Sequence, residues 1–367
     1  MNKLVLSAAL TLTSLVTASA QTPTAVSNCN QIGGIPSVGV TRDNGLSWAT
    51  SNRPMPLGQG TFGMAVARGR NEIISSYRNK IYVSHNGGCA WRPVGPIQAS
   101  HVRLVGSSHG GYAWNFFSAQ NVWRIDLRKT GANKIVPVKA LAQDVVAIGV
   151  DPADDMHVRG VGEGGGFYDS FNGGDFWVPL GPGAPVTPLV YFAAFDPNNL
   201  DHAIVGMAQG GVVTTLDGGA TWTSATGLTQ TGGSRNSFYG VISESDPSIV
   251  WVESIDLDES GGGAPSNGKH IYRSTDGGLS FTPVVDAGGG VTLVNGAFMM
   301  TDPSDADVVY FPFGASTFGN ILELYRYDHG TGQVTWTTTT TTPQAKIRSM
   351  VFSPLHSSRI VVGFEGS

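Results

Sequence analysis

The chain has 367 residues, with 22 Lys+Arg against 27 Asp+Glu and a formal net charge of −5. Only 13% of its residues are charged, about half the usual share, which argues against long solvent-washed helices. A net acidic chain without basic runs also lacks the electrostatic footprint of a nucleic-acid binder or of a protein held on an anionic membrane. Its 50 glycines, 20 prolines and 41% hydrophobic content describe instead a chain that turns often and buries a sizeable core.

Met1-Asn2-Lys3 is a short basic start, and residues 4–17 form an apolar stretch too short to cross a bilayer. Ala18-Ser19-Ala20 follows as an A-x-A site. This is the pattern of a secretory signal peptide over residues 1–20, cleaved after Ala20, so the mature chain is expected outside the cytoplasm, secreted or periplasmic. No later segment is long and apolar enough to suggest membrane insertion. Cys29 and Cys89 are the two cysteines. In an oxidising compartment an even count favours one disulfide, with two free thiols as the other reading.

A repeated box of the form [ST]-x-[DN]-x-G-x-x-[WF] then organises the chain. Its copies begin at Thr41, Ser84, Ser170, Thr215 and Ser274. They place Asp43, Asn86, Asn172, Asp217 and Asp276 at the acidic position. The interval from 86 to 172 is twice that from 43 to 86, which predicts a degenerate unit near 129, where Asp126 follows a strand-like run. A second degenerate copy carries Asp328, Gly332 and Trp336, making seven units. Asp or Asn bonds backbone two residues on, and Gly supplies a left-handed conformation, so each box reads as a hairpin turn and its acid as a structural group. Two short strands joined by Asp151-Pro152, Asp196-Pro197, Asp246-Pro247, Asp302-Pro303 or Ser353-Pro354 accompany the units. Four strands repeated seven times describe an all-β, seven-bladed β-propeller of antiparallel blades, with residues 21–367 as one domain. Residues 346–352 and 359–364 supply two strands without a box, and residues 35–40 enter the first box without two strands before it. The N-terminal and C-terminal strands are therefore expected to complete one blade together, which removes the open edges.

The boxes resemble Asp-boxes, or BNR repeats, of the kind found in sialidases, two-domain xyloglucanases, sortilin-type receptors and photosystem-assembly propellers of the Ycf48 type. The resemblance covers nearly the whole expected mature chain and implies a propeller. In build the chain is most similar to the single-domain, Ycf48-like group and to secreted bacterial propellers, and the resemblance speaks weakly for function. A sialidase-like carboxylate clamp would need three arginines. Arg103 and Arg348 fall on predicted innermost strands and Arg235 just precedes one, but the Arg-Ile-Pro element before the first box is missing, and six blades would be expected rather than seven.

In such a blade the boxes and Asp-Pro turns share one rim, and the remaining loops share the other. The loop rim is expected to hold Arg53, Arg78, His101, Asp144, Glu163, Arg235, Asp256, Asp258, Glu259, Lys269 and Glu365. From these and the innermost strands the ligand-binding candidates are Arg103, Arg235, Arg348, Glu163, Asp256, Asp258, Glu259 and Glu365. A glycosidase would need two carboxylates at a suitable separation, and the sequence selects no pair. Residues 255–269 are the longest insertion, in the sixth unit. Asp256, Asp258 and Glu259 there could ligate Ca²⁺, against the plainer reading of a solvated acidic loop and no cofactor. Thr337–Thr342 reads as an outer strand and its linker. The expected function is non-catalytic recognition of an extracellular or periplasmic protein or glycan, and the alternative is a glycoside hydrolase.

Overall fold

The computed structural model describes the chain except residues 1–17, 22–28, 30–31, 42, 47–48, 51–59, 116–120, 128–131, 187–188, 230–233, 262–267, 294–295, 297, 315–320, 341–344 and 367. The local unit is the box turn. In the unit at Thr215, the threonine Oγ1 accepts the N–H of Gly219 at 2.8 Å and donates to the Asp217 carboxylate at 2.9 Å. The same carboxylate accepts the N–H of Thr221 at 2.8 Å. The bond from glycine N–H to hydroxyl recurs at Ser84, Ser170 and Ser274 at 2.9 Å, and at Thr41 at 2.8 Å. Gly219 sits at φ +90°, which L side chains rarely adopt, and a Cβ there would stand 3.0 Å from the Phe167 ring of the preceding unit. Both conformation and neighbour demand glycine.

Among the described residues, strands gather into seven blades of four antiparallel strands, with consecutive strands as neighbours in six of the blades, and a fifth strand lies parallel on the edge of one. The seventh is the exception. It runs Ala345–Ser353, His356–Gly366, Val38–Thr41 and Ala49–Thr50, with Val40 opposite Val361. Strands from the two chain ends thus finish one blade, as the sequence predicted. We count this as blade 1. Blades 2 to 7 follow, their innermost strands being Met64–Ala67, Val102–Gly106, Val145–Val150, Val190–Asp196, Arg235–Ile242 and Met300–Asp302. The Thr tract forms part of the outer strand Gln333–Thr340 of blade 7, and Ala18–Gln21 lies parallel along it.

The core is not central. Buried hydrophobic residues fall into seven clusters, and each joins one blade to the next. Trp251 and Ile271 of blade 6, for example, pack with Phe311, Tyr325 and Tyr327 of blade 7. Polar side chains cross the same seams. His202 of blade 5 lies 2.9 Å from the carbonyl of Gly277 in the box of blade 6, and Thr214 donates to Gly278 O at 2.7 Å. Arg359 of blade 1 donates to Asn86 O in the box of blade 2 at 3.2 Å.

Cys29 and Cys89 are disulfide-bonded, with Cα atoms 5.6 Å apart. The segment around Gly33 docks on the box of blade 2, where Gly33 donates to Cys89 O and Trp91 donates back to Gly33 O. The bridge therefore fastens the entering chain to the blade beside the closure.

Two outcomes follow. Thr215→Val keeps shape but leaves the buried Gly219 N–H without its acceptor, so chemical denaturation should register a loss of about 1–3 kcal/mol. The cross-link spans a sequence separation of 60, and chain entropy assigns such a loop about 4 kcal/mol. Reduction should lower the melting temperature by several degrees, and an unchanged melting curve would contradict that role.

Candidate functional site

Each innermost strand runs from the loop rim to the box rim, so the seven of them wall a central channel. A cavity of about 430 Å³ lies in it, lined by residues including Phe62, Arg103, Trp114, Tyr239 and Phe298. The aromatic rings are mutually supported: Tyr239 and Phe298 have centroids 5.0 Å apart, and Phe62 and His101 4.4 Å. Burial pushes the Tyr239 hydroxyl up to about 12, with Arg103 acting in the opposite direction. The Arg103 guanidinium is itself pulled down by burial, supported by Tyr239 and pushed further down by Arg348. Arg348 lies with its guanidinium carbon 5.9 Å from the Phe62 ring centre, and its Nε donates to the Glu365 carboxylate at 2.6 Å.

The predicted candidates therefore divide. Arg103, Arg348 and Glu365 gather with His101 around the loop-rim end of the channel. Arg235 does not join them. It opens the innermost strand of blade 6 opposite Asp256, and its side chain packs where a Cβ on Gly211 would stand, at the seam with blade 5. A three-arginine clamp is not assembled. Arg78 lies over the Tyr77 ring at 5.4 Å, and Lys269 reaches the Leu293 carbonyl at 3.5 Å. Asp144 and Glu163 are exposed on blade 4, joined by the bond from Glu163 N to Asp144 O. Arg53 lies outside the described residues.

The sixth-blade insertion is organised by its carboxylates. Asp256 accepts the N–H groups of Asp258 and Glu259, capping a short helix, Leu257–Gly261, and also accepts the Thr229 hydroxyl. Glu259 lies 2.8 Å from His270 Nε2, and Asp286 lies 2.7 Å from His270 Nδ1. Among the described residues, no group of three or more His, Cys, Asp or Glu is arranged to hold a metal ion. Asp256 is thus committed to helix capping, Glu259 and Asp286 to His270, and Glu365 to Arg348. What the channel end offers is guanidinium and aromatic surface, suited to recognition. Tyr239, Phe62, Phe298 and His270 were not singled out in sequence. The Phe238-Tyr239 pair inside an innermost strand could have signalled Tyr239; the other three carry no short sequence signal.

No family model matches the chain. The dispase autolysis-inducing protein of Streptomyces mobaraensis is 32% identical over 345 residues, which cover 92% of this chain and 89% of that protein. The chain belongs to that protein's family. Among solved structures, a GH74 enzyme of Niastella koreensis matches with a TM-score of 0.59 at 18% identity, over 85% of this chain but only 52% of the enzyme. YCF48 bound to D1 peptide matches with a TM-score of 0.54 at 13% identity, over 90% of this chain and 97% of that one. Likeness at this identity shows the fold alone, which recurs in an enzyme and in a protein solved with a bound peptide.

In this member of the family, His270 joins the insertion to its blade. An imidazole with both nitrogens on carboxylates donates both bonds only when protonated. Burial works against that charge, but the bonds to Asp286 and Glu259 outweigh it and the His270 pKa is raised; His270 in turn holds Asp286 low. The histidine contribution is complete below its unfolded pKa of about 6.5 and is lost as pH rises through the higher folded value. The Asp286 contribution is present above its unfolded value and is lost as pH falls through the lower folded one. The clamp is therefore tightest in mild acid. NMR titration should place the His270 midpoint above 6.5, and a midpoint at or below it would remove the clamp.

Proposed function

We propose that the protein is an exported propeller of the Asp-box type that acts by binding, and that its partner is a self-digesting protease of the dispase kind, which it drives to autolysis. The observation that carries this reading is the 32% identity along nearly the full length of both chains with a protein named for that effect. The disulfide supports a place outside the cytoplasm, as does the A-x-A site, with cleavage after Ala20. That cleavage would take most of the strand lying along blade 7 and would leave the ring closure untouched. A glycosidase reading has only the fold in its favour.

The test is direct. Purified mature protein is incubated with dispase, and the loss of intact protease is followed on gels. The expected result is a shortened protease lifetime that scales with added propeller, with no turnover of chromogenic glycosides. An unchanged lifetime, together with glycoside turnover abolished by Glu163→Gln, would overturn the proposal.

A further inference from the structure

Among the described residues, the exposed large hydrophobic side chains are Met156, Phe171, Phe176, Val178, Leu216 and Leu355. All stand in or directly beside turns of the box rim, and all but Leu355 belong to the adjacent blades 4 and 5. Phe171 is 71% exposed, Phe176 58% and Leu216 53%. Single exposed apolar residues need no explanation, but a cluster does.

The fold does not ask for these residues. The position after the box hydroxyl carries Arg42, His85, Phe171, Leu216 and Thr275 in turn. The position before the box aromatic carries Ser47, Ala90, Phe176, Thr221 and Ser280. In Thr221 and Ser280 that position supplies a hydroxyl to the box carboxylate. Blade 4 replaces small or polar residues by phenylalanine at both places, and blade 5 uses leucine at one. The turn closes with or without them, so their apolar surface is surplus to folding.

Phe171 is also held in place. The Phe171 ring stacks on His157, with centroids 4.4 Å apart and planes 9° apart. His157 lies between Asp151 at 2.8 Å and Asp169 at 2.9 Å. Asp154, Asp175 and Asp217 stand in the same turns and are exposed. The neighbouring cation Arg159 is buried and directed at Asp201, at 2.6 Å. What faces solvent is apolar surface with three exposed carboxylates in its turns and one exposed cation, Lys139, bonded through its backbone to Gly174, so the border is acidic on balance.

We infer that this face of blades 4 and 5 is the protease-docking surface, and that it takes a protein patch with an apolar centre and a rim of Lys and Arg. The inference rests on the binding function proposed above and adds where the partner sits. The acidic border favours a basic-rimmed protein and disfavours an anionic lipid surface. A ring fixed like that of Phe171 loses little freedom on binding, which suits it to the centre of an interface.

The probe is dispase itself, inactivated by a chelator for binding measurements and active for autolysis. The triple variant Phe171→Ser/Phe176→Ser/Leu216→Ser should weaken binding by roughly 30-fold or more, the range of hot-spot loss, and should slow the induced autolysis, with an unchanged melting temperature. Asp175→Lys, a single exposed change that leaves folding alone, should weaken binding severalfold at low salt, and the difference should shrink at high salt. If the wild-type chain neither binds dispase nor hastens its autolysis, the proposed function is wrong. If the wild type binds and both variants bind equally well, that function stands and the docking surface is wrong. Self-association abolished by the triple variant, with dispase binding intact, would assign the patch to a second copy and overturn the inference.

Discussion

The hydrogen bond from a box glycine N–H to the Ser or Thr hydroxyl four residues earlier holds more of this protein than its own turn. It fixes a left-handed glycine whose missing side chain lets the preceding blade close in. Phe167 occupies the space over Gly219, and Val361 lies where a Cβ on Gly88 would be, 2.6 Å away. A turn and a seam are thus one device. Because the hydrophobic clusters lie between blades, each sheet depends on its neighbours for its core. The box is the point at which local conformation becomes lateral packing.

This explains why the architecture was legible in the sequence. Turn chemistry is local, and Gly219 or Asp217 states its role within eight residues. The count of units, the two-plus-two blade and the Cys29–Cys89 pair all followed from spacing and parity. The channel end was less legible. Arg103 and Arg235 look alike in sequence, each at the start of an innermost strand. Yet one is supported by Tyr239 in spite of the repelling Arg348 beside it, and the other packs on Gly211, because the direction of a long side chain at a strand end depends on the neighbouring blade. His270 was invisible for the same reason. Glu259 and Asp286 reach it from an insertion and from an outer strand, and no short motif joins them.

The two rims answer to different constraints. On the loop rim the segments vary in length and can be reshaped singly, as the helix capped by Asp256 shows. On the box rim five turns share one hydrogen-bonded backbone, and among them variation is confined to side chains at the few positions where the turn is indifferent. Phe171, Phe176 and Leu216 occupy such positions. A repeat protein of this kind can therefore change its surface without touching its frame, and departures from the repeat are more informative than the repeat itself.

The blade shared by residues 38–50 and 345–366 has a kinetic consequence. Six sheets can form from contiguous sequence, but the seventh waits for a strand more than three hundred residues downstream, so its closing contacts are among the most non-local a chain of this length can make. Until those last strands arrive, both flanking seams stay open and their apolar faces stay wet. A ribosome or a translocation pore that still holds the C-terminal strands therefore holds an open arc, and the closed ring belongs to the released molecule.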